Sequence, residues 1–202
     1  MTVRMALALT AGALALAPTA CGGDDDSGAE SSGSSAQELP AAKITNLAEA
    51  VDAAGCELVD TKADSRDHVA EITARVDYPT NPPTAGKHFG AAAEDGIYAE
   101  TPPDITVVHS HEHGRVAIWF KPGLPRADRD GLHALVEDDF DKMLLIPRAE
   151  MPFDVAATAW NAEPEPLGTG RLLGCPSFSR ATYDALRTFR DEHRGKGPEP
   201  IP

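Results

Sequence analysis

The segment from Pro79 to Gly90 (PTNPPTAGKHFG) belongs to neither a helix nor a strand. Three prolines remove amide donors and two glycines loosen the backbone. The regular elements must therefore be arranged around a loop. Before it, Thr45 to Ala54 reads as a helix, with Leu47, Ala50, Val51 and Ala54 on one face, Thr45 as cap and Gly55 as stop. Cys56 to Val59 reads as a short strand. His68 to Tyr78 alternates, with Ala70, Ile72, Ala74, Val76 and Tyr78 on one side. After the loop, strands are expected at Ile105 to Val108 and Arg115 to Phe120, and a helix at Asp128 to Val136. Two further strands are expected at Met143 to Ile146 and Val155 to Trp160, then a helix at Ser179 to His193 that Gly195 ends. This order does not alternate regularly. It points to one α+β domain, a mixed or antiparallel sheet with helices packed against it.

The N-terminus is read separately. Arg4 precedes an uncharged apolar run, Met5 to Ala17, which is shorter than the roughly 20 residues of a membrane span. Thr19-Ala20-Cys21-Gly22 then resembles a bacterial lipobox, with Pro18 where such boxes usually carry Leu. Residues 1–20 are thus expected to be a lipoprotein-type signal peptide, and Cys21 the lipidated residue. Residues 21–42 are Gly, Ser and acid with almost nothing to bury, as befits a flexible tether. The folded domain is expected over 43–197, followed by a Pro-rich tail at 198–202. The place implied is the outer face of the cell membrane, with the lipid as the membrane contact.

Composition narrows the function. The chain carries a formal net charge of −14, which disfavours a nucleic-acid partner because phosphate backbones attract basic faces. Protein partners are left open. With Cys21 lipidated, Cys56 and Cys175 remain, and an oxidising compartment favours a disulfide between them over two buried free thiols. There is no C-x-x-C, P-loop, dinucleotide fingerprint or G-x-S-x-G.

The chemistry concentrates in one stretch. Four of the seven histidines lie between His88 and His113, and the core of it is His109-Ser110-His111-Glu112-His113. On a strand the three rings at 109, 111 and 113 share a face; on a helix only His109 and His113 do. Imidazoles suit zinc or copper. His88 ends the Pro-rich loop and can deliver another ring. Glu112 can act as an oxygen ligand, a general base or an orienting group. The site expected for copper or zinc is His88, His109, His113 and Glu112, with His111 as an extra. The spacing also satisfies H-x-x-E-H, but that zinc-protease pattern requires a long helix, and Gly114 follows at once. His68, His133 and His193 read as structural or exposed, and Trp119 and Trp160 as core.

These residues resemble a family of bacterial exported or membrane-anchored proteins known as domain of unknown function 3105. The resemblance spans Cys56 to Glu199. It rests on Tyr78-Pro79-Thr80-Asn81-Pro82-Pro83-Thr84 with Gly86 and His88, on Gly96-Ile97-Tyr98, and on Val108-His109-Ser110 with Glu112-His113-Gly114-Arg115-Val116. It continues through Met151-Pro152, Val155 to Trp160, and Arg194-Gly195-Lys196-Gly197-Pro198-Glu199. The family usually carries Leu at the position of His111, which marks that histidine as an addition. The resemblance implies export and draws attention to His88, His109, Glu112 and His113, but brings no settled activity.

Three functions are compatible with these features. The first is an extracytoplasmic lipoprotein that binds copper or zinc in metal handling or resistance. The second is a metal-assisted hydrolase or lyase with Glu112 as base. The third is an envelope interaction module whose histidines are structural. The membrane assignment is tested directly by Cys21→Ser, which should move the protein from the membrane to the soluble fraction, since two acyl chains anchor stably and one is marginal. Unchanged fractionation rejects anchoring at this residue.

Overall fold

The computed structural model describes residues 39–199. The expected signal peptide, Cys21, nearly all of the tether and the last three residues of the tail lie outside the described residues. In chain order the elements are α1 (Leu47–Ala54), β1 (Glu57–Lys62), β2 (His68–Val69), β3 (His88–Phe89), β4 (Gly96–Ile97) and α2 (Asp104–Glu112). Then follow β5 (Val116–Phe120), α3 (Arg126–Asp138), β6 (Met143–Pro147), β7 (Val155–Asn161), β8 (Thr169–Cys175) and α4 (Thr182–His193).

Six strands form one mixed sheet in the order β1-β8-β7-β5-β6-β4. The β1/β8, β8/β7 and β7/β5 pairs are antiparallel; β5/β6 and β6/β4 are parallel. The expected α+β class is the observed one. Strands β5 and β7 are buried along their whole length. Alternate residues feed opposite cores. Val116, Ile118 and Phe120 join Leu47 and Val51 of α1, Leu132 and Leu135 of α3, and Leu186 and Phe189 of α4. Ala117 and Trp119 join Val107 of α2 with Met151 and Phe153 on the other face.

The sequence expectations fail at four places, the first being the Pro79 to Gly90 segment, where His88–Phe89 pairs with β2 as strand β3. Ile105 to Val108 lies in helix α2, not in a strand. Its residues from Ile105 to Glu112 are all buried, so no polar face marks the helical period. Pro103 opens the helix and Asp104 sits in its first turn, where a negative charge meets the positive end of the dipole. His68 to Tyr78 is a strand only at His68–Val69. Beyond that, Ala74, Val76 and Tyr78 are half-buried between exposed neighbours, an alternation that follows packing without a ladder partner. Strand β8 carries no sequence signal because Gly170 and Gly174 interrupt it. A side chain at Gly170 would meet Thr84 Oγ1, and one at Gly174 the Phe153 ring. Helix α1 also begins later than its pattern suggests, capped by the Asn46 side chain, which accepts from the Glu49 amide at 3.0 Å.

A disulfide joins Cys56 and Cys175, whose Cα atoms are 4.3 Å apart across 119 residues of sequence. It extends the β1/β8 register, in which Glu57 faces Gly174, by one pair. Among the described residues no helix is long and apolar enough to cross a membrane.

His193, the last residue of α4, turns inward against Phe189, and its Nδ1 accepts from Asn161 Nδ2 at 3.2 Å. Burial, then the nearby Arg171 and Lys196, push its pKa down to about 4, while Asp60 acts the other way. The unfolded chain therefore binds this proton first. The neutral ring's contribution is complete above about pH 6.5 and is lost as the pH falls toward about 4, at no more than ~1.4 kcal/mol per pH unit. Urea unfolding of wild type and His193→Gln across this window should show a shallower pH slope for the variant. Parallel slopes reject a neutral buried His193.

Candidate metal centre

Two short elements bring three histidines together. The parallel β2/β3 pair sets His68 opposite His88. The C-terminal half of α2 then lays His109 against both. Ring centroids are 4.7 Å apart for His68 and His88, 5.0 Å for His68 and His109, and 4.7 Å for His88 and His109. His113 caps α2 one turn beyond His109, with ring centroids 4.4 Å apart. Val108, Trp160, Ala63 and Ala85 pack together beside them as a small apolar cluster. His88, His109 and Glu112 are 0%, 5% and 1% exposed.

Backbone acceptors orient two of the rings. A carbonyl only accepts, so His88 Nδ1–H donates to Gly86 O at 2.8 Å and His109 Nδ1–H donates to Phe89 O at 2.6 Å. Both Nε2 atoms are thereby directed inward. His109 Nε2 lies 3.0 Å from His113 Nε2. His88 Nε2 lies 2.9 Å from Glu112 Oε2, and both atoms are buried. Two buried, lone-pair-bearing atoms in such contact call for a cation between them, either a proton or a metal ion. The other carboxylate oxygen, Oε1, accepts from Arg66 Nε at 2.7 Å. Burial works against the Glu112 charge, but polar contact with His88 and Arg66 outweighs it and holds the carboxyl down at about 2. Burial pushes His109 and His113 below the usual histidine range, with the Arg115 charge adding to the effect at His113.

The donor atoms of His68, His88, His109 and Glu112 all lie within 4.8 Å of one another, close enough to hold a metal ion. Those of Glu112, His113 and Glu199 do the same. His109 and His113 open onto a cleft of about 470 Å³ that Gly90, Ala91, Ala92, Glu94 and Arg115 help to line. The chain from Gly195 onward closes the other side. Gly195 N donates to Gly114 O at 2.8 Å and Glu199 N donates to Glu112 O at 2.9 Å. A Cβ at Gly114 would sit 2.8 Å from the Gly195 backbone, so this approach requires glycine.

Of the residues singled out by sequence, His88, His109 and Glu112 converge, and His113 adjoins them. His111 does not. The helical period turns it to the opposite side, into the sheet core. There Trp119 Nε1 donates to Thr158 Oγ1 at 2.7 Å, Thr158 donates to His111 Nε2 at 2.9 Å, and His111 Nδ1 donates to Arg115 O at 3.0 Å. Burial pushes this ring's pKa down to about 4. His68, read from sequence as peripheral, belongs to the cluster. Arg66 and Glu199 were not singled out for a role. Their part depends on loop and terminal contacts that no local spacing encodes. His133 lines a separate groove with Tyr98, Phe120 and Arg129.

A family model described as "Protein of unknown function (DUF3105)" matches residues 68–201. The chain belongs to this family. The match begins twelve residues after Cys56, where the sequence resemblance starts, and it takes in every residue of the histidine cluster. No curated protein and no solved structure matches the chain. In this DUF3105 member, His111→Leu should cost about 1–3 kcal/mol of stability, because it leaves the Thr158 hydroxyl and the Arg115 carbonyl without their buried partner. Equal denaturation midpoints for variant and wild type would contradict that role.

Proposed function

We propose that this DUF3105 domain binds one transition-metal ion, zinc or copper, through His68, His88, His109 and Glu112, with His113 beside them at the cleft. The observation that carries this reading is the convergence of four donor atoms, from His68, His88, His109 and Glu112, within 4.8 Å of one another. A backbone carbonyl that accepts from Nδ1–H, as Gly86 O and Phe89 O do here, is the usual outer support of a zinc or copper histidine. Three imidazoles and one carboxylate supply enough donors for a four-coordinate ion.

The same geometry speaks against Glu112 as a general base. Its carboxyl is held at about 2 and one oxygen is engaged by Arg66, whereas a base operating near neutral pH needs a much higher value. Helix α2 does place His109, Glu112 and His113 in the H-x-x-E-H spacing, but it ends at Glu112 and leaves no further turn to carry such a site.

We further propose that the domain works outside the cytoplasm, tethered through lipidated Cys21. The Thr19-Ala20-Cys21-Gly22 sequence supports this, and so does the Cys56–Cys175 disulfide, which belongs to an oxidising compartment. Metal handling at the envelope is the role that joins the two proposals.

Elemental analysis of the purified protein, followed by calorimetric titration with zinc and copper, tests the metal reading. One ion per chain is expected. His88→Ala and His109→Ala should each lower affinity by at least 100-fold, whereas His111→Leu should leave it within threefold. Binding should weaken as pH falls below the usual histidine range, because burial holds the His109 ring neutral down to lower pH before protons compete for its lone pair. Absence of uptake by the wild type returns the histidines to a structural role.

A further inference from the structure

The group formed by Glu112, His113 and Glu199 overlaps the histidine cluster at one residue, Glu112. It already faces a cation. Arg66 Nε lies 2.7 Å from Glu112 Oε1, and Arg66 Nη2 lies 3.8 Å from Glu199 Oε2. The guanidinium therefore bridges both carboxylates of this second group. The Arg66 side chain is 34% exposed and enters from the loop between β1 and β2, so it is anchored by its charge contacts and not by tight packing.

We propose that Glu112, His113 and Glu199 form a latent second metal position, and that Arg66 is its resident cation, restricting the histidine centre to one metal ion. This proposal rests on the reading of the histidine cluster as a metal site. A carboxylate shared between two donor groups is how paired ions about 3.5–4 Å apart are held. Glu112 has that placement: Oε2 faces His88, and Oε1 faces Arg66. A second divalent ion there would have to displace Arg66 or lie against its charge. A guanidinium is charged at all relevant pH values and matches a carboxylate with fixed donors. It thus supplies permanently the compensation that a second ion would otherwise bring. Arg66 is a positioning and stoichiometry-determining residue in this account, since it touches the carboxylate and not the bound ion.

Zinc stoichiometry of the full chain, purified in detergent and measured by elemental analysis and native mass spectrometry, tests this. Wild type and Arg66→Lys should each hold one zinc, because both keep a cation in place. Arg66→Gln, which keeps a hydrogen-bond donor but removes the charge, should hold two. Adding Glu199→Gln to Arg66→Gln should return the count to one. Two zinc ions on the wild type, one on Arg66→Gln, or a second zinc that survives Glu199→Gln each overturn the Arg66 proposal and leave the histidine centre standing. The absence of both zinc and copper from all four proteins overturns the histidine centre itself. Thermal melts of each protein ensure that only folded variants are compared.

Discussion

A carboxylate almost removed from water sets the terms for this end of the domain. Glu112 closes a helix whose residues are buried from Ile105 onward, so its charge has no solvent to lean on. An isolated buried charge costs several kcal/mol. The surrounding chain is arranged to answer it: Arg66 comes from a loop, His88 from β3, and the 195–199 segment lies across the helix end through backbone hydrogen bonds. The β2/β3 pair is only two residues long and would be a weak element by itself. It is held where it is because His88 must reach Glu112 and because the loop carbonyl at Gly86 fixes the ring.

Helix α2 also separates two kinds of histidine chemistry. On one side, His109 and His113 face a cleft and each other. On the opposite side, His111 completes a chain of donors and acceptors from Trp119 to the Arg115 carbonyl, with every member satisfied. Such a fully connected network fixes how α2 sits on β5 and β7. Positions 109 and 113 are held in place by it. One imidazole stabilises the helix seat, and two others face the cleft.

The sequence makes the long, one-sided elements legible. The helix at 126–138, the helix at 182–193 and strands β5, β6 and β7 follow from apolar spacing, and the disulfide follows from export and cysteine parity. Helix α2 is not legible, since a helix buried all round offers no contrast between faces, and its β-branched Ile105, Val107 and Val108 mimic a strand. The convergence of His109 and His113 nevertheless survives that error, because both readings place them on one face. His68 and Arg66 escape notice for a different reason. Their positions are set by a parallel pairing to a residue 20 positions away and a charge contact to one 46 positions away, respectively. Nothing in local spacing reports such contacts.

The strap formed by residues 195–199 adds a kinetic aspect. Glu199 on the strap faces Arg66, far earlier in the chain, so this contact is among the least local in the domain. Loop closure over such distances is unfavourable until the intervening sheet has formed. The Arg66–Glu199 contact therefore forms only after the sheet that lies between its partners in sequence. The strap is thus a late-closing element, laid over the end of α2 once the scaffold is complete.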